Sequence, residues 1–365
     1  KLTGLLVEIF PMLAVSTRFS SYRASNTTRH HFQKLFTRFT VGDVVKEKKV
    51  LHTVVSTTSI QDTMKLLEKH KIQSVPVIHE GTNKFMGIVS ISDIALSVAF
   101  RPCYTREGED VHHLTKKEME EILKSKGEKL AKPIADIMGL TEEGKYFCVL
   151  GEPDPIGRAF HNFSEGAHRA LVLRKGDAGP CMLSQTDVAR FLLDKLKSEP
   201  ASHAKASVEK LMNTKISEVP RANSDLSKGK IVSVNASEAA LVGFRKLVQY
   251  HFPNEWNLAA IPVVSDDDGK GGGGKVVETL SSSDLRGLEA EVIMKLMKPI
   301  PEYLEELHGT KARKQVTVQG TTTFGEALRK IMDGDVHRAW VVNKDDRLEG
   351  VFSLSDVMSE MAKHV

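Results

Sequence analysis

Short apolar runs recur along this chain in the same order four times. Each copy contains two apolar runs separated by a short polar turn, and the second run leads directly into the pattern Ser-x-x-Asp. Two apolar runs joined by a short turn are typical of a β-hairpin. We therefore predict four hairpins, whose second strands read MGIVSISD, PCMLSQTD, VVETLSSSD and EGVFSLSD.

An amphipathic helix is predicted upstream of each hairpin. In TTTFGEALRKIMDGD the apolar residues recur with helical spacing, so they share one face. The helix of the second copy, PDPIGRAFHNFSEG, is the weakest, because Gly157 and Gly166 lower its helical propensity. The residues expected on the buried faces are Ile60, Met64 and Leu67 in the first copy, Leu241, Phe244, Leu247 and Val248 in the third, and Phe324, Ala327, Leu328, Ile331 and Met332 in the fourth.

The repeated unit is thus strand–helix–strand–strand–helix, in which Ser-x-x-Asp opens the second helix. Alternating strands and helices can also indicate a doubly wound nucleotide-binding sheet. The parallel strands of such a sheet need a crossover of a dozen or more residues, whereas here two strands meet across a short turn. The pattern therefore favours an α+β fold. Three copies also follow a similar short piece, which reads IADIM, VEKLM or IMKLM.

The serines and aspartates of the four Ser-x-x-Asp patterns are called anchor residues below. The anchor serines are Ser90, Ser184, Ser281 and Ser353, and the anchor aspartates are Asp93, Asp187, Asp284 and Asp356. Two roles are open for the aspartates. An acid at a helix start is favoured by the helix dipole and can form a capping box with the serine. Alternatively, the carboxylate accepts hydrogen bonds from ribose hydroxyls, as an acid does in dinucleotide folds.

A His-Arg pair stands at the start of the first hairpin strand in two copies. The pairs are His168-Arg169 and His337-Arg338, at the same spacing before Asp187 and Asp356, while the other two copies have Gln73-Ser74 and Ala259-Ala260. A surface salt bridge contributes only about 0–1 kcal/mol, so stability gives little reason for a cation there. An arginine fork beside an imidazole can grip phosphate, and the alternative is a pair of satisfied rim residues.

Composition narrows the class of function. The hydrophobic fraction of 41% and the charged fraction of 27% are those of a soluble globular protein. Three cysteines (Cys103, Cys148, Cys181) form no CxxC pair, which argues against a zinc site and favours a reducing compartment. No apolar run reaches the roughly 18–20 residues that span a bilayer. Residues 1–40 carry a net +5 and the remainder about −1, too little for nucleic-acid binding.

The four-fold order resembles the CBS-domain family, whose members pair in twos as Bateman modules. Four copies with His-Arg in the second and fourth are most similar to the gamma subunits of AMP-activated protein kinase. The resemblance implies four tandem CBS repeats in two modules, residues 41–196 and 208–365. Residues 104–132 are expected to form a helical linker inside the first module, and residues 1–40 an extension that is disordered or directs mitochondrial or plastid import. Otherwise a cytoplasmic location is expected.

The resemblance also implies roles for the residues. The anchor aspartates would contact ribose, the anchor serines would support them, and His168, Arg169, His337 and Arg338 would bind phosphate. The gamma subunits lack the acid at the position of Asp187 and carry an arginine at the position of Gln73, so this chain departs from them twice. The expected ligand is an adenine nucleotide (AMP, ADP or ATP), the expected partner a kinase complex or another regulated protein, and no catalytic residue, metal or further cofactor is expected.

Two other functions compete with this regulatory one. The first is an interaction scaffold of the same fold that binds no nucleotide, which the missing cations of repeats 1 and 3 favour. The second is a P-loop enzyme, suggested by GKGGGGKV (Gly269 to Val276). A working loop opens a helix and has Ser or Thr after its lysine. Here Val276 follows the lysine and a strand is predicted next, so the segment is interpreted as a flexible hairpin insertion.

Overall fold

The four predicted units fold alike, each around its own three-stranded sheet. In every sheet the middle strand pairs in parallel with the first strand and antiparallel with the last. The predicted hairpins and the α+β class are therefore confirmed, and no doubly wound sheet occurs among the described residues. The computed structural model describes residues 36–48, 51–97, 129–141, 147–176, 179–198, 202–219, 232–249, 259–265, 274–285, 295–309 and 315–364.

The elements follow the predicted order. Repeat 1 follows α1 (Val41–Val45) and contains β1 (Val54–Val55), α2 (Ile60–Lys69), β2 (Ser74–Ile78), β3 (Phe85–Ser90) and α3 (Ile91–Ala95). Repeat 2 follows a 3-10 turn (Ile134–Ile137) and contains β4 (Cys148–Gly151), α4 (Ile156–Ser164), β5 (Arg169–Leu173), β6 (Cys181–Ser184) and α5 (Gln185–Ser198). Repeat 3 follows α6 (His203–Met212) and a 3-10 turn (Ile216–Glu218) and contains β7 (Val234–Asn235), α7 (Ala240–Gln249), β8 (Ala260–Val264), β9 (Val276–Ser281) and a 3-10 turn (Ser282–Leu285). Repeat 4 follows α8 (Ile300–His308) and contains β10 (Thr317–Val318), α9 (Phe324–Asp333), β11 (Arg338–Val342), β12 (Leu348–Ser353) and α10 (Leu354–Ala362).

The helix upstream of each hairpin forms for the reasons that the sequence suggested. In α9, Thr323 and Glu326 form a capping box, and the apolar face from Phe324 to Ile331 is fully buried. Gly166 does not weaken α4, because it lies after the helix with φ of 111°, in the left-handed region that favours glycine. Lys71 and Asp335 adopt positive φ at the corresponding turns of repeats 1 and 4.

The segment that precedes each repeat packs on the other repeat of its pair. These crossing segments are residues 36–48, 129–141, 202–219 and 295–309. Each crossing segment forms one backbone bridge to the residue just before the upstream helix of the repeat that it covers: Thr40 to Pro155, Pro133 to Ser59, Lys215 to Thr323 and Pro299 to Ala239. Repeat 1 therefore exchanges segments with repeat 2, and repeat 3 with repeat 4.

The crossing segments complete the cores that they cover. Ile134 and Ile137 lie in the core of repeat 1, and Leu296 and Ile300 in the core of repeat 3. The short pieces that the sequence showed before three repeats thus close the neighbouring repeat. The boundary predicted at residue 40 falls inside such a segment, because Phe36 is buried against Phe160 of repeat 2. Residues 1–35 lie outside the described part of the chain.

Helices join the two pairs of repeats. The cores of repeats 2 and 4 are continuous, since α4 packs against α10. Ala95 and Leu96 of repeat 1 enter the core of repeat 3. In addition, α5 packs against α10 and α3 packs against the 3-10 turn Ser282–Leu285, so the elements that follow Ser-x-x-Asp meet between repeats 2 and 4 and between repeats 1 and 3.

Two predicted segments fall largely among the residues that are not described. Most of the linker 104–132 lies outside the described ranges, and so do residues 266–273, which include most of the glycine-rich segment. The flanks of the glycine-rich segment belong to β8 and β9, which pair antiparallel with Val264 opposite Val276. The segment therefore connects two strands of a hairpin, as predicted, and a strand follows its lysine where a Walker loop requires a helix. Within the described ranges, no helix is long and apolar enough to cross a membrane.

Candidate functional site

The four Ser-x-x-Asp patterns occupy equivalent places in their sheets. Each anchor serine ends a strand and pairs directly with the first residue of the middle strand, which is Ser74, Arg169, Ala260 or Arg338. The residue after each anchor serine donates its N–H to the carbonyl of the residue just before that strand, which is Gln73, His168, Ala259 or His337. Counting along the sequence had matched Gln73-Ser74 and Ala259-Ala260 to the two His-Arg pairs, and the strand pairing confirms this correspondence.

All four anchor aspartates cap the turn or helix that follows. In every repeat, Oδ2 of the aspartate accepts a hydrogen bond from the serine N–H at 2.8 Å and a second one from the serine Oγ. The capping role that the sequence left open is therefore present in each repeat. It uses one carboxylate oxygen, so a ribose contact would have to use Oδ1.

In repeat 1 the carboxylate of Asp93 is enclosed. Its Oδ1 accepts hydrogen bonds from the backbone N–H of Thr141 at 2.8 Å and from Thr141 Oγ1 at 2.9 Å. With the two bonds from Ser90, all of the roughly four acceptor positions of the carboxylate are used. Asp93 is 0% exposed, and burial raises its pKa to about 6.

In repeats 2 and 3 a basic side chain faces the same oxygen. Lys48 Nζ lies 2.8 Å from Oδ1 of Asp187. His308 Nε2 lies 2.9 Å from Oδ1 of Asp284, and Tyr303 Oη donates to the backbone carbonyl of Asp284 at 2.6 Å. Burial raises the pKa of the Tyr303 phenol, so it stays protonated and remains a donor. The carboxylate of Asp187 is thus neutralised by an ion pair that the sequence reading did not predict.

Repeat 4 places an arginine near its anchor aspartate. Burial lowers the pKa of the Arg338 guanidinium to about 10, while the charge of Asp356 opposes this shift, so the arginine stays charged at neutral pH. Arg338 Nη1 donates to the backbone carbonyl of Ala260 at 3.2 Å. Asp356 itself is buried. This repeat therefore brings a cation and a carboxylate to one end of a sheet.

Each arginine of a His-Arg pair contacts the equivalent strand of the partner repeat. Arg169 Nη2 lies 3.3 Å from Oε1 of Gln73, the residue just before β2, and Arg338 lies against Ala260, the first residue of β8. The starts of the middle strands therefore face one another across each pair. Both guanidinium groups therefore lie between paired repeats, and their role in binding phosphate stays a prediction.

The two His-Arg pairs lie beside one contact between opposite repeats. Gln185 Nε2 lies 3.3 Å from Ser355 Oγ, which joins the first turns of α5 and α10. The N–H of Gln185 donates to the carbonyl of His168, and the N–H of Leu354 donates to the carbonyl of His337. The phosphate-binding role of the histidines stays a prediction, but their backbone positions flank a shared contact.

Sequence reasoning missed the residues that face the anchor aspartates from outside the repeat. Thr141, Lys48 and His308 come from crossing segments, far from their aspartates in the sequence. Two of them stand eight residues after the bridge residue of their segment, and His308 stands nine after. This spacing is a sequence signal, but it is visible only once the crossing is known. Among the described residues, no group of three or more His, Cys, Asp and Glu side chains is placed to hold a metal ion.

Comparison with known proteins agrees with this architecture. The CBS domain family matches residues 41–99 and 306–363 of the chain. A crystal structure from Methanocaldococcus jannaschii, of a protein described as a proposed archaeal homolog of g-AMPK, superimposes with a TM-score of 0.57 at 18% identity, covering 88% of this chain and 99% of that one. The CBS-domain matches thus cover the first and the fourth repeat, and the four similar three-stranded sheets have the fold of the archaeal tandem-repeat structure.

Among curated proteins, the chain is similar to two gamma-like regulatory subunits from Arabidopsis thaliana. It is 25% identical to SNF1-related protein kinase regulatory subunit gamma-like PV42a over 76% of this chain and 75% of the relative. It is 22% identical to the gamma-like PV42b over 88% of this chain and 94% of the relative. The resemblance to gamma subunits that the repeats suggested is thus matched by relatives over most of the chain.

Proposed function

We propose that the chain is a non-catalytic regulatory protein that binds adenine nucleotides, AMP, ADP or ATP, in the clefts between its paired CBS repeats. The observation that carries the proposal is the geometry of repeat 4. Arg338 pairs with Ser353 across the hairpin, and Asp356 follows on the first turn of α10. A cation and an acceptor thus lie at the same end of one sheet, next to the partner repeat.

This arrangement suits the two polar ends of a nucleotide. A guanidinium fork binds phosphate oxygens through paired, charge-assisted hydrogen bonds, and His337 adds a second donor when it is protonated or suitably oriented. The Oδ1 atom of Asp356 would accept from the ribose, since Oδ2 is used by the cap. Repeat 2 offers the same groups in His168, Arg169 and Asp187, and repeats 1 and 3 lack the cation at this strand start.

The proposed partner is a protein kinase complex, which the names of the gamma-like relatives support. A nucleotide can signal only if the partner binds the occupied and empty states differently. The Gln185–Ser355 contact is suited to report occupancy, because it joins the two pairs of repeats beside both His-Arg pairs.

Calorimetric titration of the full chain with AMP, ADP and ATP tests the proposal. The wild type should show saturable binding that a His168→Ala/His337→Ala variant loses, because both phosphate grips are truncated. His79→Ala is the matched control, since His79 is exposed on the turn between β2 and β3. Absence of binding by a chain that circular dichroism shows to be folded would refute the proposal and favour the interaction scaffold.

A further inference from the structure

The oxygen of each anchor aspartate that the cap leaves available is contacted from another part of the chain in three repeats. Thr141 binds Oδ1 of Asp93 through its N–H and its hydroxyl. Lys48 pairs with Oδ1 of Asp187, and His308 with Oδ1 of Asp284. A hydroxyl, an ammonium and an imidazole have little in common chemically, yet each meets the same oxygen.

The three side chains also come from the same place in the fold. Each belongs to a crossing segment and contacts the repeat that its segment covers. Lys48 follows the bridge residue Thr40 by eight positions, Thr141 follows Pro133 by eight, and His308 follows Pro299 by nine. The contact to Oδ1 therefore occurs in each of the three repeats for which the end of the covering segment is described. The corresponding positions for repeat 4, eight and nine after Lys215, lie outside the described residues.

Stability gives a weak reason for the contact of Lys48. In this pair the Lys48 side chain is 36% exposed and the Asp187 side chain is 17% exposed. Ion pairs near the protein surface contribute little to folding, about 0–1 kcal/mol. The His308 side chain is 35% exposed as well, although the carboxylate that it meets is 1% exposed. A weak pair that occupies a defined oxygen, such as Lys48–Asp187, is suited to be displaced.

We propose that Lys48, Thr141 and His308 compete with the ribose of a bound nucleotide for the anchor aspartates, and so decide which clefts are used. The inference rests on the proposed function. A ribose diol needs acceptor positions on Oδ1, so it binds only where the side chain from the crossing segment withdraws. Thr141 makes two bonds to Oδ1 of Asp93, so the Asp93 cleft stays closed. Lys48 and His308 are partly exposed and each meets Oδ1 of its aspartate through one contact, so their clefts open to ligand.

Removing Lys48 separates this proposal from simple electrostatics. A nucleotide is an anion, so loss of a nearby cation by itself should weaken binding. Competition predicts the opposite sign, because Lys48→Ala leaves Oδ1 of Asp187 available. An ion pair of the usual strength would raise the affinity of this cleft about two- to fivefold on removal. Lys46→Ala is the matched control, since Lys46 is an exposed lysine of the same segment.

The experiment is an AMP titration of the full chain by calorimetry with wild type, Lys48→Ala, Lys46→Ala, His308→Ala and His79→Ala. A gain in affinity or in the number of occupied sites for Lys48→Ala or His308→Ala, with both controls at the wild-type value, supports the proposal. Unchanged or weaker binding by both variants, while the wild type binds, overturns the competition and leaves the nucleotide-binding function standing. No AMP binding by any of the five folded proteins overturns the proposed function and the competition with it. AMP binding by Lys48→Ala, with no binding by the other four proteins, would support both the proposed function and the competition.

Discussion

Truncation of Ile300 tests the exchange of segments between repeats 3 and 4. Ile300 opens α8, which by sequence belongs to repeat 4, yet its side chain is 0% exposed in the core of repeat 3. A Cβ built at Gly243 of α7 would lie 3.4 Å from Ile300 Cδ1, so the isoleucine is in direct contact with that helix. Ile300→Ala should therefore destabilise the sheet of repeat 3 although the change lies outside that repeat.

The size of the effect follows from the burial. An Ile→Ala change at a fully buried position costs about 2–5 kcal/mol, because transfer free energy is lost and a cavity remains. A local cost of about 3 kcal/mol raises the population of the opened state more than about a hundredfold. Hydrogen–deuterium exchange followed by mass spectrometry should show this increase in β8 and β9. Ile331→Ala is the matched control, because Ile331 is equally buried but belongs to α9 of repeat 4.

The two variants should give opposite patterns. Ile300→Ala should deprotect β8 and β9 more than β11 and β12, and Ile331→Ala should do the reverse. If Ile300→Ala exposed the strands of repeat 4 and spared those of repeat 3, α8 would pack on its own repeat and the exchange would be refuted.

Three further outcomes are expected. Asp93 has a pKa of about 6 in the folded protein against 3.8 when free, so the folded state binds its proton more tightly than the unfolded state does. The wild type should therefore lose about 1 kcal/mol of unfolding free energy between pH 5 and pH 7 relative to Asp93→Asn, as measured by urea denaturation. Gly243→Ala places a methyl group in overlap with Leu280 Cδ2, so the melting temperature should fall through an overpacking cost of about 1–3 kcal/mol, measured by calorimetry. Thr279→Val removes the acceptor of the Trp340 indole N–H at 2.8 Å, which should cost about 1–3 kcal/mol in denaturation followed by tryptophan fluorescence.

Each of these outcomes has a clear opposite. A flat difference between wild type and Asp93→Asn across pH 5–7 would show that burial does not raise the Asp93 pKa. A higher melting temperature for Gly243→Ala would show that the gain in helix propensity exceeds any overlap. Unchanged stability of Thr279→Val would show that the indole finds another acceptor. Thr279→Ser keeps the hydroxyl, and its stability should then equal that of Thr279→Val.

Much of the fold could be predicted because its determinants are local. The apolar face of α9 depends only on residues three and four positions apart, and the hairpins depend on two apolar runs and a short turn. The anchor residues were found for the same reason, since a capping box spans only four consecutive residues. Gly166 was misjudged from local propensity alone, because its role is a turn between α4 and β5 that requires positive φ.

The surroundings of the candidate site could not be predicted in this way. The roles of Asp187 and Asp284 depend on Lys48 and His308, and the sequence offers no pairing rule that links residues so far apart. Counting residues showed that Gln73 occupies the same position in repeat 1 as the histidine of a His-Arg pair. It could not show that Gln73 lies beside Arg169 in the folded protein. Both facts follow from which repeats pack together.

The sequence by itself determined the four repeats, their strand and helix order, and the position of a serine, an aspartate and in two copies a His-Arg pair on each sheet. These features repeat because every copy must satisfy the same local hydrogen bonds and bury the same apolar face. Only the tertiary structure decided that the segment before each repeat closes its neighbour, and that this exchange brings Thr141, Lys48 and His308 to the anchor aspartates. The physical reason is that packing between distant segments depends on the complementarity of assembled surfaces, which no single stretch of sequence contains.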